Sequence, residues 1–210
     1  MKMNKKARLS ALALVATMGA GAFIGLPQAQ AATPGTNSLA TVLTAKNSFD
    51  MNDKNYDIVT AAILAVLKAK PNSPVKVLTD GTVAVTAFIP NDGAFKSLVM
   101  ALTKKSPKTE ADAFAVVAGL GIDTVERILE YHVVPGKAID SAAALKANGA
   151  VLTTALTGKT VKVSVMNNTI KLMAFNTKLR TPKVILSQVD INKGNLQIAH
   201  GIDAVLMPTK

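Results

Sequence analysis

The chain has 210 residues, no cysteine and a formal net charge of +11 at pH 7. The lack of cysteine excludes disulfides, thiolate catalysis, zinc–thiolate sites and lipid attachment through an N-terminal cysteine. Aromatic residues, which could stack on bases, make up only 4% of the chain, and its lysines are scattered and do not form one basic patch. We therefore do not expect nucleic acid as a partner.

The first 31 residues have the pattern of a secretory signal peptide. The segment Met1–Ser10 contains cations and no acid, and the segment Ala11–Leu26 is apolar. Ala29 and Ala31 place small side chains at the two positions that a signal peptidase reads, so we expect cleavage after Ala31. The alternative is a retained transmembrane anchor, but the apolar run is interrupted by glycines and is shorter than the ~20 residues that a span requires.

Removal of this segment leaves a chain of the right length for one domain with no membrane span. We predict a signal peptide over residues 1–31, a linker over residues 32–38 and a single domain over residues 39–208. We expect the protein to be secreted, either released or held peripherally at the cell surface. Its remaining positive charge is compatible with an anionic wall polymer or membrane surface, although a solvated basic face is the simpler explanation. Small cation clusters occur at Lys104, Lys105 and Lys108 and at Lys178, Arg180 and Lys183.

Apolar residues at helical spacing predict a helical first half of the domain. Two helices are expected over "SLATVLTAK" and "YDIVTAAILAVLKAK", and the second ends before Pro71. A buried strand is expected over "VAVTAFIP", which ends at Pro90. Further helices are expected at residues that can cap a helix N-terminus: Asn91, Thr109, Asp123 with Glu126, and Asp140 or Ser141.

The second half of the domain, from Val151 onward, changes to short runs of Val, Ile, Thr and Leu separated by turns. Five strands are expected over "VLTTAL", "TVKVSV", "IKLMAF", "KVILSQ" and "LQIAHGIDAVLM". Lys162 alternates with apolar neighbours, which is typical of an antiparallel sheet with one wet face. The predicted fold class is therefore α+β, with helices mainly N-terminal and antiparallel strands C-terminal.

His132 is the first of the two histidines and follows Tyr131 directly. Helical spacing places it on the same face as Ile128 and Leu129, so we expect its ring to point inward. The Pro135–Gly136 turn leaves backbone carbonyls within reach of a ring N–H. We interpret His132 as a structural side chain that ties a helix end to a loop, and not as a catalytic group.

Metal binding is not expected from the sequence. His200 could form a site with Asp190 or Asp203, but no tight histidine spacing supports one. A calcium loop is superficially suggested by "FDMNDKNYD", which includes Asp50, Asp53 and Asp57, yet it lacks the central glycine and the terminal glutamate of such loops. We therefore interpret it as a polar lead into the next helix, and we predict no cofactor.

Three stretches resemble motifs of the fasciclin (FAS1) domain family, and they occur in the family's order. The stretch "VAVTAFIPNDGAF" resembles the first motif of the family, and "ILEYHVVPGK" resembles the second, which contains a Tyr-His pair. The stretch "IAHGIDAVLMP" is similar to the closing strand of the family. The resemblance covers about residues 39–208. Two departures are "KGNLQIAH", which is one residue longer than usual, and a longer lysine-rich loop and helix over residues 104–121.

The resemblance implies a wedge-shaped β-sandwich flanked by helices. In animal relatives the Tyr-His region has been linked to integrin-type adhesion. Here only Tyr131 and His132 match that region, so the resemblance marks a position and not a partner. It implies a candidate interaction or structural motif at Tyr131, His132, Pro135 and Gly136. It also implies structural motif residues at Pro90, Asn91, Phe95, His200 and Asp203.

The sequence favours a binding protein over an enzyme. It contains no nucleophile elbow, no His-Glu-x-x-His, no P-loop and no dinucleotide fingerprint, so no catalytic residue is predicted. We expect a secreted, non-enzymatic interaction or adhesion domain whose partner is a protein or polysaccharide of the cell envelope or matrix. The alternative is an exported carrier that holds a small ligand in an apolar crevice between helices and sheet, lined by methionines such as Met100, Met166 and Met173.

Overall fold

The computed structural model describes residues 33–45, 48–174 and 180–208, and the predicted signal peptide lies outside them. Among the described residues, no helix has both the length and the apolar character needed to cross a membrane. The helices are α1 (Leu39–Thr44), α2 (Asp57–Ala69), α3 (Asp92–Thr103), α4 (Glu110–Ala118), α5 (Ile122–Tyr131) and α6 (Ser141–Lys146). The strands are β1 (Val85–Pro90), β2 (Val133–Pro135), β3 (Val151–Thr153), β4 (Thr160–Met166), β5 (Thr169–Met173) and β6 (Gln197–Ile202). Short 3-10 helices occupy Pro74–Thr79 and Leu186–Gln188.

Side-chain caps explain where most of the helices begin. Asn91 accepts a hydrogen bond from the Ala94 N–H at the start of α3, and Asp140 accepts one from Ala143 at the start of α6. Thr109 forms a reciprocal capping box with Asp112 at the start of α4. These starts agree with the sequence prediction.

The predicted capping box at Asp123 and Glu126 is wrong. Helix α5 begins at Ile122, its N-cap is Gly121, and no side chain caps it. Both carboxylates instead form ion pairs with Lys70, which follows the end of α2. A lysine brought in by tertiary packing competes for the carboxylates, and local spacing cannot reveal it.

The strands form two three-stranded sheets. The first sheet has the order β2-β1-β6, with β1 antiparallel to β2 and parallel to β6. The second sheet is the antiparallel meander β3-β4-β5. The predicted mixed class, with helices first and small antiparallel sheets later, is confirmed; the parallel pairing of β6 is the exception. Every residue of β1 and β6 is buried, as expected for a parallel pair that is covered on both faces.

The strand predicted over "KVILSQ" does not form as a regular element. Lys183 and Val184 make single bridges, Lys183 to Lys171 of β5 and Val184 to Ile202 of β6, before the chain turns into the 3-10 helix Leu186–Gln188. Because this segment passes between the two sheets, it pairs with each for too short a distance to build a ladder. Its bridges join the edge of the second sheet to the edge of the first.

The first sheet separates two hydrophobic cores. On β1, Val85, Ala87 and Ile89 lie in the larger core with the helices, whereas Phe88 lies in the smaller core with the second sheet. This alternation is the two-residue period of a strand. The sheet is therefore covered by helices on one face and by the second sheet on the other.

Candidate functional site

His132 is buried at the C-terminal end of α5, with 3% of its surface exposed. Its Nδ1–H donates to the carbonyl oxygen of Ile128 at 2.7 Å, and its Nε2 accepts from the Leu206 N–H at 2.9 Å. Burial lowers the pKa of His132 to about 4, because the imidazolium form would lose its hydration. The ring is therefore neutral at pH 7 and joins α5 to the segment that follows β6.

The rest of the Tyr-His motif divides between the interior and the surface. Tyr131 is buried, and its hydroxyl donates to the Thr160 carbonyl oxygen of β4 at 3.0 Å. Pro135 and Gly136 are exposed at the end of β2, and Gly136 has a φ of +85°, which favours glycine. Only Pro135 and Gly136 of this candidate motif are thus accessible to a partner.

His200 lies in the centre of β6 with both ring nitrogens bound to main-chain groups. Its Nε2–H donates to the Ile139 carbonyl oxygen at 2.8 Å, and its Nδ1 accepts from the Asp190 N–H at 3.3 Å. Burial lowers its pKa as well. The carboxylate of Asp190 binds Ser141 and Lys193, and that of Asp203 binds Arg180 and the Lys183 N–H. The structure does not assemble these groups around a common point.

The remaining family-motif residues hold the junction between β1 and α3. Pro90 is the last residue of β1, Asn91 is the α3 N-cap, and Phe95 is buried in the larger core. Next to them, the Asp92 carboxylate accepts from the N–H groups of Asp57 and Ile58, at 3.1 and 2.8 Å. Asp92 therefore ties the start of α3 to the start of α2.

An acidic cluster, formed by Asp50, Asp57, Asp92 and Glu110, lies at the N-termini of α2, α3 and α4. Burial, with the nearby charges of Glu110 and Asp57, raises the pKa of Asp92 to about 6, and burial also raises the pKa of Asp57. One carboxylate oxygen each from Asp50, Asp57 and Glu110 lies within 4.8 Å of the other two. Sequence reasoning missed Glu110, because it stands sixty residues from Asp50.

The outer face of the second sheet carries a different group of residues. Lys162 of β4 pairs with Val151 and Met173, and Lys171 of β5 pairs with Ser164 and bridges to Lys183. The alternate residues of the same strands, such as Val161 and Leu172, fill the smaller core. We call this surface the basic sheet face and define it by Lys162, Lys171 and Lys183 together with Val151, Met166 and Met173.

The crevice predicted for a carried ligand is not lined by the methionines that sequence reasoning singled out. Met100, Met166 and Met173 are 56%, 62% and 45% exposed, and both Met166 and Met173 lie on the outside of the second sheet. The structure does contain a groove of about 610 Å³ beside α1. Its lining comprises Thr41, Val42, Leu43, Ala45, Lys54, Asn55, Tyr56, Asp57 and Ile191.

Comparison with known proteins identifies the family. No curated protein matches the sequence. A similar solved structure is a FAS1 domain pair from the insect cell adhesion molecule fasciclin I, with 15% identity and a TM-score of 0.49. The aligned region covers 71% of this chain and 46% of that one, so this chain spans less than half its length. The model of the fasciclin domain matches residues 57–208, which is more than half of the chain. The chain therefore belongs to the fasciclin domain family.

Proposed function

We propose that this chain is a secreted, non-enzymatic interaction domain that binds an anionic polymer of the cell envelope or matrix through the basic sheet face. The proposal is supported by membership of a family associated with adhesion. The observation that carries it is the outward row of cations on the second sheet. Lys162 and Lys183 are exposed and Lys171 is half-buried, and none of their ammonium groups pairs with a carboxylate within residues 33–45, 48–174 and 180–208.

The stretch of sequence that holds the three lysines is rich in cations, although one of them, Arg180, pairs with the Asp203 carboxylate. From Ser141 to Val189 the sequence contains no Asp or Glu. The same segment contains Lys146, Lys159, Lys162, Lys171, Lys178, Arg180 and Lys183. A surface of one sign raises the local concentration of an oppositely charged partner and speeds its association. A polymer with repeated negative charges fits such a surface better than a single small anion does.

The geometry of the sheet brings the three cations close together on one face. Lys171 and Lys183 are bridge partners, so their strands lie about 4.8 Å apart, and Lys162 is on the next strand. The exposed side chains of Val151, Met166 and Met173 lie beside them. The face therefore offers both charge and apolar contact to a chain-like ligand.

A binding role, as opposed to catalysis, is supported by the state of the histidines. Both ring nitrogens of His132 and of His200 are bound to main-chain groups. A general acid or base must have a nitrogen within reach of a substrate proton. Neither ring meets that requirement in this fold.

The test is a comparison of two triple variants that remove the same charge. Lys162→Gln/Lys171→Gln/Lys183→Gln should weaken binding to a purified anionic envelope polysaccharide by at least about tenfold, because multivalent charge contacts are lost. Lys104→Gln/Lys105→Gln/Lys108→Gln, on the loop after α3, should stay within about twofold of the unmodified chain. Binding of the unmodified chain should weaken as salt rises past physiological strength, where the screening length falls below ~8 Å. Equal losses in the two variants, or binding indifferent to salt, would contradict the assignment to this face.

A second candidate function, carriage of a small ligand, is favoured by the groove beside α1. Its volume of about 610 Å³ is in the range of small-molecule sites, and its lining mixes apolar side chains with Tyr56 and Asn55. Native mass spectrometry of the chain purified from its source distinguishes the two functions. A bound mass that disappears on filling the groove by Val42→Trp supports carriage, whereas a ligand-free chain that binds the polymer supports the interaction domain.

A further inference from the structure

The loop before α2 and the first turn of α4 bring three carboxylates together. Asp57 is the first residue of α2, and Glu110 is the first residue of α4. Asp50 reaches them because its own N–H donates to Glu110 Oε2 at 2.7 Å. One oxygen of each carboxylate lies within 4.8 Å of the others. The arrangement joins two elements that are distant in sequence at a single point.

Neutral hydrogen-bond donors stabilise only part of the negative charge of these carboxylates. The Asn55 Nδ2 group donates to Asp57 Oδ2 at 2.8 Å and to Asp50 Oδ1 at 3.3 Å, and the Ser48 N–H donates to Asp57 Oδ1 at 3.2 Å. Asp50 is exposed, whereas Asp57 and Glu110 are buried. Asp92 adds a fourth carboxylate, also buried, close enough to interact electrostatically with Asp57 and Glu110. Lys96 is the one ammonium group that pairs with this cluster in the described part of the chain.

A second observation indicates that a positive group belongs at this point. The Glu110 side chain is completely buried, yet its Oε1 accepts no hydrogen bond among the described residues. Its nearest cation, Lys96 Nζ, is 3.6 Å away and also pairs with Asp53. The Asn55 Oδ1 atom is also buried without a donor, but it lies on the side of the amide away from the carboxylates, because Nδ2 faces them. Buried oxygens are normally satisfied, and a buried carboxylate is costly unless it is paired or binds a metal.

We propose that Asp50, Asp57 and Glu110 bind a calcium ion, with the Asn55 side-chain oxygen as a further ligand. Carboxylate and amide oxygens are the ligands that hard cations prefer. Oxygens bound to one Ca²⁺ ion stand up to about 4.8 Å apart, since each is ~2.4 Å from the ion. Separations of up to 4.8 Å are compatible with one shared cation. Calcium is favoured over magnesium because Ca²⁺ accepts irregular oxygen coordination, whereas Mg²⁺ requires near-ideal octahedral geometry and gives up its water reluctantly. A half-turn of the Asn55 amide exchanges its NH₂ group for the unpartnered oxygen and turns that oxygen toward the carboxylates.

The ion would clamp the loop to the helices behind it. Residues 48–56 already contact the protein body, for example through the Phe49 ring against Phe114 and the Asp53 carbonyl, which accepts from the Gly93 N–H. The ion would add a further link, from Asp50, Asn55 and the first residue of α2 to α4. Calcium would therefore act on the stability of this loop and not on the basic sheet face. The inference is independent of the proposed function, because the two sites share no residue.

The first test measures calcium binding by calorimetry on the purified full chain, after chelator treatment and at constant ionic strength. We expect one Ca²⁺ per chain with a dissociation constant between ~10⁻⁵ and ~10⁻³ M, and weaker binding of Mg²⁺. Glu110→Gln should weaken Ca²⁺ binding by at least about tenfold, because it removes a charged ligand. Asp112→Asn is the matched control: it removes a carboxylate from the same turn of α4, keeps an oxygen for the capping bond to Thr109, and should leave affinity within about twofold.

The second test locates the ion by luminescence of Tb³⁺, a calcium analogue that an adjacent aromatic ring excites. The chain has only two tyrosines and no tryptophan, and Tyr56 stands between Asn55 and Asp57. Tb³⁺ emission excited through tyrosine should rise to saturation, fall when Ca²⁺ is added, and disappear in Tyr56→Phe. Calorimetry should show that Tyr56→Phe still binds Ca²⁺.

Four results would overturn the proposal. They are no saturable Ca²⁺ binding below about 10 mM, tighter binding of Mg²⁺ than of Ca²⁺, unchanged affinity in Glu110→Gln with native circular dichroism, and Tb³⁺ emission that persists in Tyr56→Phe. Loss of affinity in Glu110→Gln with a native spectrum, together with an unchanged Asp112→Asn variant, supports it. None of these results tests polymer binding by the basic sheet face, which is measured in a separate experiment.

Discussion

The helical half and the second sheet of this domain carry their charges in opposite ways. Of the 13 acidic residues, all but Asp190 and Asp203 lie between Asp50 and Asp140. Several of these are buried, including Asp57, Asp92 and Glu110. The second sheet lies in a stretch without any acid and directs its lysines outward. Several carboxylates of the helical half are thus buried, whereas the lysines of the second sheet face outward.

This difference separates charges that hold the fold from charges that are available to a partner. The buried carboxylates accept hydrogen bonds from main-chain N–H groups, as Asp92 does from α2 and Glu110 does from the Asp50 loop. Removal of such a group leaves buried donors unpaired, which is costly. An exposed lysine without a partner contributes little to stability, so its value lies in binding. Each prediction below perturbs one side of this contrast.

The largest effect is expected from His132→Ala, at the junction of α5 with the segment after β6. The change leaves a buried cavity and deprives the Leu206 N–H and the Ile128 carbonyl of their partner. We expect the free energy of unfolding in urea to fall by about 4 kcal/mol, the sum of a cavity and an unpaired donor. Polymer binding measured well below the melting temperature should be unchanged. A variant that keeps its stability and loses binding would instead make His132 a recognition residue.

The second effect is a loss of stability in acid that comes from the same ring. The pKa of His132 is lowered from 6.5 to about 4, so the folded state excludes a proton that the unfolded chain takes up below pH 6.5. Stability from this group is complete above pH 6.5 and is lost as pH falls toward 4, by about 3 kcal/mol in total. Asp92 acts in the opposite direction, because its raised pKa of about 6 makes the folded state gain stability as pH falls from 6 to 3.8.

The contribution of His132 can be isolated from that of Asp92 by a difference measurement. Urea unfolding of the unmodified chain and of His132→Phe is compared from pH 7 to pH 4, since Asp92 is present in both and cancels. The advantage of the unmodified chain should shrink by about 3 kcal/mol across this range. A constant difference would show that the histidine is not held neutral by the fold.

The smallest changes in unfolding free energy are expected when one buried charge and one exposed charge are each removed. Asp92→Ala should cost about 2 kcal/mol of unfolding free energy, because two N–H groups at the start of α2 lose their acceptor. Lys162→Gln on the basic sheet face should change it by less than about 0.5 kcal/mol. Thermal unfolding of the two variants at pH 7 checks this. Similar losses in both would erase the distinction between the two regions.

Local patterns predicted most of the elements but not all of their partners. The starts of α3, α4 and α6 follow from capping residues that lie within three positions of the helix. Local spacing failed at Asp123 and Glu126, which bind Lys70, more than fifty positions away. It failed again over "KVILSQ", where strand-forming residues divide their pairing between two sheets. The parallel pairing of β1 with β6 could not be predicted from local patterns either, because the relative direction of two strands depends on the path of the chain that connects them.

The amino-acid sequence by itself determined the alternation of buried residues, the caps of α3, α4 and α6, the inward direction of His132 and the family to which the chain belongs. The first three follow from short-range geometry, since a helix repeats every 3.6 residues and a strand every two. The family follows from the resemblance of three motifs and the family match. Only the tertiary structure decided that Glu110 meets Asp50 and that His132 accepts the Leu206 N–H, 74 positions away. Such contacts depend on how the separate elements pack around the two cores, and no local pattern encodes that packing.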